Sequence, residues 1–314
     1  MVIAPQDDMT AEGLDVIGDV HGESGKLTRL LTALGYVDEG DGFRFPQRRR
    51  RAVFVGDLID RGVGQRETVA IVRSMVTSGD AHIVMGNHEY NAIAYAMPDP
   101  AAPGEYLRRH EVKNDRQHAA FISAFGFGSS EHVSAIEWFR SMPLWLELDG
   151  LRVVHACWDQ ASMDALGGDP YVTDELMVSS SVQDSIEQQW VEHLCKGPEI
   201  PLPDGITFHD KDGHMRDRAR FRWWDPTAVT YQLGCEVPPS CPILPDRAIE
   251  DPPVLPYRAL TPVVFGHYWR QWGEPDVGER TACVDHSAVL GGPLTAYRWS
   301  GETTLSADRL VAAS

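Results

Sequence analysis

An α/β fold is what the sequence predicts, and three observations lead to it. Short runs rich in β-branched residues recur along the chain, and several stop at a polar cluster. Stretches with helical spacing fall between them. The chain is 314 residues long, 43% hydrophobic and 24% charged. A chain of that size buries about three-quarters of the surface it exposes when unfolded, so a full core is available and disordered or fibrous classes are excluded.

The first strand is expected over Leu14 to Asp19. Glu23 to Leu34 follows as a helix, because Leu27, Leu30, Leu31 and Leu34 share one face. Ala52 to Asp57 reads as the next buried strand. Glu67 to Ser78 carries Val69, Val72, Met75 and Val76 at helical spacing and is closed by Gly79. With a strand at Ala81 to Met85 the first half is β-α-β-α-β. From Gly86 to about Met142 the sequence is helical and polar, which predicts helices packed against the sheet. Strand patterns return at Leu151 to His155, Pro262 to His267, Thr281 to Asp285 and Leu294 to Trp299. Between Pro198 and Pro262 lie 12 of the 21 prolines and no sustained periodicity. The expectation is a single domain over 1–314 with a loop-rich cap or insertion at about 158–261. Ser300 to Ser314 reads as a short tail, and no internal repeat occurs.

Lys and Arg number 28 against 46 Asp and Glu, a formal net charge of −18. Such a surface repels phosphate backbones and anionic membranes on average, so neither nucleic acid nor a membrane is an expected partner. Met1 to Asp15 has no basic and apolar leader pattern, and no run of about 18 apolar residues occurs, which predicts a cytoplasmic protein. The five cysteines, Cys157, Cys195, Cys235, Cys241 and Cys283, form no CxxC pair and read as free thiols.

Chemistry gathers where the apolar runs stop: Gly18-Asp19-Val20-His21-Gly22, Gly56-Asp57-Leu58-Ile59-Asp60-Arg61-Gly62, Gly86-Asn87-His88-Glu89, Val154-His155-Ala156 and Gly266-His267-Tyr268. In open α/β sheets ligands bind beyond the carboxyl ends of the strands, so Asp19, His21, Asp57, Asn87, His155 and His267 are expected to converge. Three imidazoles, two carboxylates and one amide oxygen suit manganese, iron or zinc better than magnesium or calcium. Six ligands are too many for one tetrahedral ion but fit two ions about 3.5 to 4 Å apart, with Asp57 as the shared carboxylate. A water held between two such ions becomes hydroxide near neutral pH and can attack a phosphorus whose oxygens the ions polarise. His88, oriented by Asp60, is placed to protonate the leaving oxygen, and Arg61 to clamp phosphate.

These blocks resemble the phosphoprotein phosphatase family within the calcineurin-like metallophosphoesterases, whose GDxHG, GDxxDRG and GNHE motifs are all matched. The resemblance is close over about residues 14 to 95 and falls to islands beyond. It implies a four-layer α/β/β/α sandwich holding two divalent ions, manganese first, with iron, zinc or nickel as alternatives. Asp19, His21 and Asp57 would serve the first ion and Asp57, Asn87, His155 and His267 the second. Arg61 and Asn87 would contact phosphate, with His88 and Asp60 as the acid pair. A second phosphate-binding arginine is implied, for which Arg222 and Arg270 are the candidates. Asp285 resembles part of a bacterial C-terminal block and is expected near the site, whereas His286 falls where other members carry different residues. His155-Ala156-Cys157-Trp158 departs from the usual His-Ala-Gly by placing bulk beside the ligand.

The leading expectation is therefore phosphomonoester hydrolysis, on phosphorylated proteins or small phosphoesters. The alternative is hydrolysis of dinucleoside polyphosphates such as diadenosine tetraphosphate. Against it, symmetrical enzymes of that kind look as if they lack an acid at the Asp60 position and carry Asp where this chain has Glu89. A non-catalytic phosphate-binding module would show a missing ligand or acid, and none is missing. The remaining histidines, including His82, His110, His118, His132, His193, His209 and His214, read as surface or core residues. Arg216, Arg218 and Arg220 read as a solvated face balanced by Asp212 and Asp217. Ser24-Gly25-Lys26 is no P-loop, because Val20 stands where the motif needs glycine, and Lys26 is expected on the helix surface.

Overall fold

Every residue of the strand Gly13–Ile17 is buried, as a strand covered on both faces must be. The computed structural model describes residues 12–40, 42–209, 214–273 and 276–314. Gly13–Ile17 is the middle of a five-stranded sheet. On one side it pairs in parallel with Arg50–Phe54, which pairs in parallel with Ala81–Ile83; on the other it pairs antiparallel with Leu294–Trp299. A second, four-stranded sheet has the order Thr281–Cys283, Val263–Phe265, Leu151–Val154, Trp145–Leu148, the last pair antiparallel and the others parallel.

Side-chain alternation along the strands builds the layers. Leu14, Val16, Val53, Val55 and Val84 project from the first sheet and pack with Leu151, Val153, Val264 and Ala282 of the second in one apolar cluster. Ile17, Ala52, Phe54 and Ile83 belong to the other large cluster, with Leu27, Leu30 and Leu31 of helix Ser24–Leu34 and with Val69, Val72 and Met75 of helix Gln65–Thr77. Val154, Val263, Phe265 and Cys283 line the outer side of the second sheet in that cluster, where Phe265 meets Trp223 and Trp224 at ring-centroid distances of 4.9 and 5.4 Å. The result is a sandwich of two mixed sheets with outer layers on both sides, the layering that the resemblance implies.

The expected strands and the first two helices appear within a few residues of their predicted ends. The first helix begins at Ser24 because Glu23 has a non-helical φ and ψ of −84° and 57°, and it ends on Gly35 in the left-handed region at φ 95°. The polar stretch after Gly86 holds helices Asn87–Ala96, Val112–Phe125 and Ser130–Phe139.

Three readings change. Ser300 to Ser314 is no loose tail: Leu310–Ala313 is the edge strand of the first sheet, antiparallel to Leu294–Trp299, with Arg29 Nε donating to the Ser314 carbonyl at 2.6 Å. The strand Trp145–Leu148, unmarked by the sequence reading, turns back on Leu151–Val154 through Asp149-Gly150, with Gly150 at φ 85°. Lys26 is half-buried rather than a solvated surface residue of its helix: its ammonium donates to the carbonyls of Ala288 and Gly292 at 2.6 and 2.7 Å.

The segment from 158 to 261 carries helices Gln160–Ala165, Asp174–Ser180 and Ile186–Lys196. A three-stranded antiparallel sheet of Glu199–Pro201, Arg218–Phe221 and Cys235–Glu236 follows. All five cysteines are free. No helix among the described residues is long and apolar enough to cross a membrane.

Candidate metal centre

Each motif residue lies just past a strand end. Asp19 and His21 follow Gly13–Ile17, Asp57 follows Arg50–Phe54, and Asn87 and His88 open the helix after Ala81–Ile83. From the second sheet, His155 follows Leu151–Val154 and His267 follows Val263–Phe265. Both sheets thus aim their carboxyl ends at one spot.

Asp57 is the centre of it. Its Oδ2 lies 3.6 Å from His21 Nε2, 3.5 Å from His155 Nε2 and 3.9 Å from His88 Nε2. His21, Asp57 and His88 form one group of ligand-type atoms, and Asp57, His155 and His267 form another, each with its atoms within 4.8 Å of one another. Asn87 Oδ1 is 3.2 Å from His155 Nε2, and both Asp19 oxygens accept from the His267 amide at 3.2 and 3.1 Å.

The imidazoles are oriented from behind. His21 Nδ1 donates to the Ile59 carbonyl at 2.9 Å and His155 Nδ1 to the Val55 carbonyl at 2.7 Å, which leaves each Nε2 facing the Asp57 carboxylate. The neutral His21 ring, its one proton spent behind, turns a lone pair toward that anion. His267 Nδ1 is buried without a hydrogen-bond partner. An arrangement of lone pairs around buried carboxylates is unfavourable by itself and favourable around cations, so the donor set fits divalent metal ions.

Charges in this site act on one another strongly. Burial pushes His21 down to about 3, with the neighbouring His88 adding to it, and burial and Arg220 hold His267 well below the usual imidazole range. Burial works against a charged His155 as well, but Asp57 and Asp19 reverse that and hold it up at about 10. Burial and the nearby Asp285 raise Asp19. A cation between Asp57 and His155 would take the place of that proton.

The backbone around Asp57 is unusual and is pinned. His21, Asp57, Asp60, Arg61 and His267 all have positive φ, between 46° and 72°, a region costing a non-glycine residue about 1 to 3 kcal/mol. Glu89, fully buried, accepts from the amides of Asp57 and Leu58 at 2.8 Å each and of Gly86 at 3.1 Å. Gln65 accepts from the Asp60 amide and donates to the carbonyls of Asp60 and Gly62. Close approach also fixes glycines: a Cβ on Gly266 would stand 2.1 Å from Asp19 Oδ1, and one on Gly86 2.3 Å from Asp57 Oδ1.

His88 Nδ1 donates to Asp60 Oδ2 at 2.6 Å. Burial disfavours the charged ring, yet Asp57 and Asp60 outweigh it and raise His88 above its ordinary value. Asp60 is opposed by burial and held down at about 2 by hydrogen bonds from His118 and His88. That second histidine, from helix Val112–Phe125, was read as a bland residue in the sequence; its Nδ1 donates to Asp60 Oδ1 at 2.9 Å.

The arginines divide. Arg61 is exposed beside the site, its guanidinium 4.4 Å above the Trp269 ring. Both expected second clamps are engaged in ion pairs. Arg270 pairs with Glu236, reaches Asp276 at 3.6 Å and lies over Trp224, while Arg222 turns to Asp225 at 3.4 Å. Arg220, set aside with Arg216 and Arg218 as a solvated face, makes no ion pair with a described residue; it lies over Tyr268 at 5.4 Å and its charge reaches His267. Alternation along Arg218–Phe221, which buries Ala219 and Phe221 and leaves Arg218 and Arg220 on the other face, was the signal available for it. Asp212, one of the charges expected to balance this face, lies outside the described residues.

Asp285 accepts from the amides of Trp269 and Ser287 at 2.8 and 2.9 Å, so it shapes the loop after His267. His286 points elsewhere, its Nδ1 donating to Thr295 Oγ1 at 2.9 Å. Trp223 and Trp224 are buried packing residues, Trp223 donating to the Ala156 carbonyl at 3.0 Å. The bulk beside His155 is absorbed by burying Cys157 and laying Trp158 against Arg152, 4.7 Å away.

A model of the calcineurin-like phosphoesterase family matches residues 14–235. A symmetrical bis(5'-nucleosyl)-tetraphosphatase of Vibrio parahaemolyticus is 23% identical over 309 residues, covering 94% of this chain and 98% of that one. An asymmetrical bis(5'-nucleosyl)-tetraphosphatase of Oceanobacillus iheyensis is 27% identical over 143 residues, 46% of this chain and 54% of its own length. Among solved structures, a protein serine/threonine phosphatase from Saccharomyces cerevisiae superposes with a TM-score of 0.51 at 14% identity, covering 98% of this chain and 80% of that one. That likeness speaks for the fold.

Proposed function

This chain belongs to the calcineurin-like phosphoesterase family, and from that premise we propose that it is a two-metal hydrolase of dinucleoside polyphosphates of the diadenosine tetraphosphate class. The observation that carries the two-metal reading is Asp57, one carboxylate shared by two groups of buried ligand-type atoms. The substrate class is supported by similarity to the symmetrical tetraphosphatase along nearly the whole chain. Asp19, His21 and Asp57 would hold one ion and Asp57, Asn87, His155 and His267 the other, with manganese the expected metal. Bound there, the ions supply Lewis-acid polarisation of phosphoryl oxygens and an acidified water as nucleophile.

The chain's own residues do the rest. Arg61, braced by Trp269, and Arg220, beside His267, hold the non-bridging phosphate oxygens from two sides. His88, protonated with its Nδ1 bond to Asp60, gives the Nε2 proton to the departing oxygen. Glu89 and Gln65 keep the Asp57 to Gly62 backbone in its strained shape, so that neither residue must reorganise during the reaction. Residues 158–261 act as a cap on one functional unit, a role supported by the burial of Phe221, Trp223 and Trp224 in the same cluster as Phe265.

A second reading, hydrolysis of phosphomonoesters on proteins or small molecules, is favoured by the Asp60 and His88 pair. An alkoxide is a poor leaving group that needs a proton, whereas a departing nucleoside phosphate is weakly basic. One experiment separates the two: initial rates of the metal-stripped protein on diadenosine tetraphosphate, p-nitrophenyl phosphate and a phosphopeptide set, with manganese, magnesium, zinc or no added metal. Preference for the dinucleotide, with two equivalents of ADP as product, supports the first reading. Preference for monoesters installs the second, and metal-independent rates on every substrate would overturn both.

A further inference from the structure

We propose that His118 is a positioning residue of the acid pair, fixing the Asp60 carboxylate so that its other oxygen faces His88. The inference rests on the reading of His88 as the acid. Asp60 is gripped on three sides. Gln65 holds its backbone through both the amide and the carbonyl. His88 Nδ1 donates to Oδ2 at 2.6 Å and His118 Nδ1 to Oδ1 at 2.9 Å. No other described side chain donates to Oδ1. With the backbone fixed, the remaining freedom of Asp60 is rotation of its carboxylate, and a single bond to His88 does not stop that rotation. Two donors on opposite oxygens do.

The His118 ring is itself immobilised, with Phe121 stacked at 5.0 Å and Tyr95 edge-on at 5.1 Å. Its Nε2 is buried with no hydrogen-bond partner among the described residues. A buried nitrogen left without a partner is costly, so for filling space a phenyl ring would serve better here than an imidazole. The bond from Nδ1 is what the imidazole adds. With its hydrogen on Nδ1, the His118 ring gives Asp60 Oδ1 the donor that it otherwise lacks among the described side chains.

Leaving groups provide the test. Phenyl phosphate releases a phenolate with a pKa near that of tyrosine, about 10, and needs an acid. 2,4-Dinitrophenyl phosphate releases an anion that departs unprotonated. In the manganese-loaded protein, His118→Phe should lower kcat on phenyl phosphate about tenfold or more while leaving the dinitrophenyl ester within about twofold. His118→Asn, which restores an N–H near the Nδ1 position, should recover most of the loss. His88→Asn, run beside them, should show the same selective loss to a greater degree. Equal loss on both esters in His118→Phe, or no loss on either, overturns the positioning role. If His88→Asn is selective and His118→Phe is not, the acid stands and the positioning role falls. If His88→Asn leaves phenyl phosphate hydrolysis unchanged, the acid reading falls first. Should His118→Phe fail to fold, His118→Asn decides: selective loss without rescue in that folded variant counts against the hydrogen bond.

Discussion

Asp57 Oδ2 stands within 3.6 Å of His21 Nε2 and His155 Nε2, so its charge is the point on which the site turns. Asp57→Asn keeps the shape and removes that charge. Substitutions that touch metal ligands only indirectly cost about 10- to 100-fold, so loss at a shared ligand should exceed about 100-fold in hydrolysis, read as kcat at saturating manganese. Full activity in the purified variant would remove Asp57 from the centre. Gly266→Ala tests the same geometry from outside the ligand set, because its methyl would collide with Asp19 Oδ1; weaker manganese binding by calorimetry is the expected result. His286 makes a prediction about acid stability. Burial depresses it to about 4 from an ordinary 6.5, so between pH 6.5 and 4 the unfolded chain binds a proton that the folded chain refuses. That stability is present above 6.5 and is lost as the pH falls toward 4. Thermal melts of metal-free His286→Gln should show a shallower decline across that window than the parent. At this scale the residues that gather at the centre were legible because each follows a β-branched run, whereas His118 was not: it meets Asp60 across 58 residues of chain, and no local pattern encodes that contact.

Elements were legible where burial left a period and obscure where pairing alone defines them. Leu27, Leu30, Leu31 and Leu34 announce their helix because one face is buried. Leu310–Ala313 is only partly buried along its length, and its strand character comes from the ladder it completes with Leu294–Trp299. Deleting residues 310–314 should therefore expose the flank of Leu294–Trp299 and lower the melting temperature by several degrees while leaving the metal ligands in place. An unchanged melt would show that the strand contributes nothing. Lys26 offers a finer test of the same corner. Its ammonium closes the Ala288 to Gly292 turn, just past Asp285. Lys26→Met keeps the stem and removes the ammonium from both carbonyls, leaving Ala288 only its 3.3 Å bond from the Gly291 amide, a loss of about 1 to 3 kcal/mol by denaturant titration.

Across the whole molecule the centre lies on the seam between the two sheets. Asp19, His21 and Asp57 extend from the five-stranded sheet, and His155 and His267 extend from the four-stranded one. Apolar packing between the sheets, through Val16, Val53, Val153 and Val264, holds that seam from within, but at its open end stand buried carboxylates that repel one another. Burial pushes Asp285 up as it does Asp19, and Asp57 adds to that rise. Without cations this end of the sandwich is electrostatically frustrated, and cations bound as proposed would cross-link it. Metal ions that bind the folded chain alone stabilise it by mass action, about 2.7 kcal/mol for each site at a hundred times its dissociation constant. Chelation should thus lower the melting temperature, and manganese should restore it in a concentration-dependent way. If Asp57 is the carboxylate shared by two ions, as proposed, the size of that shift should shrink in Asp57→Asn and shrink less in His267→Ala, which would remove a ligand of one. Equal shifts in the two variants would mean that Asp57 is not shared, and the site would then reduce to two independent ions.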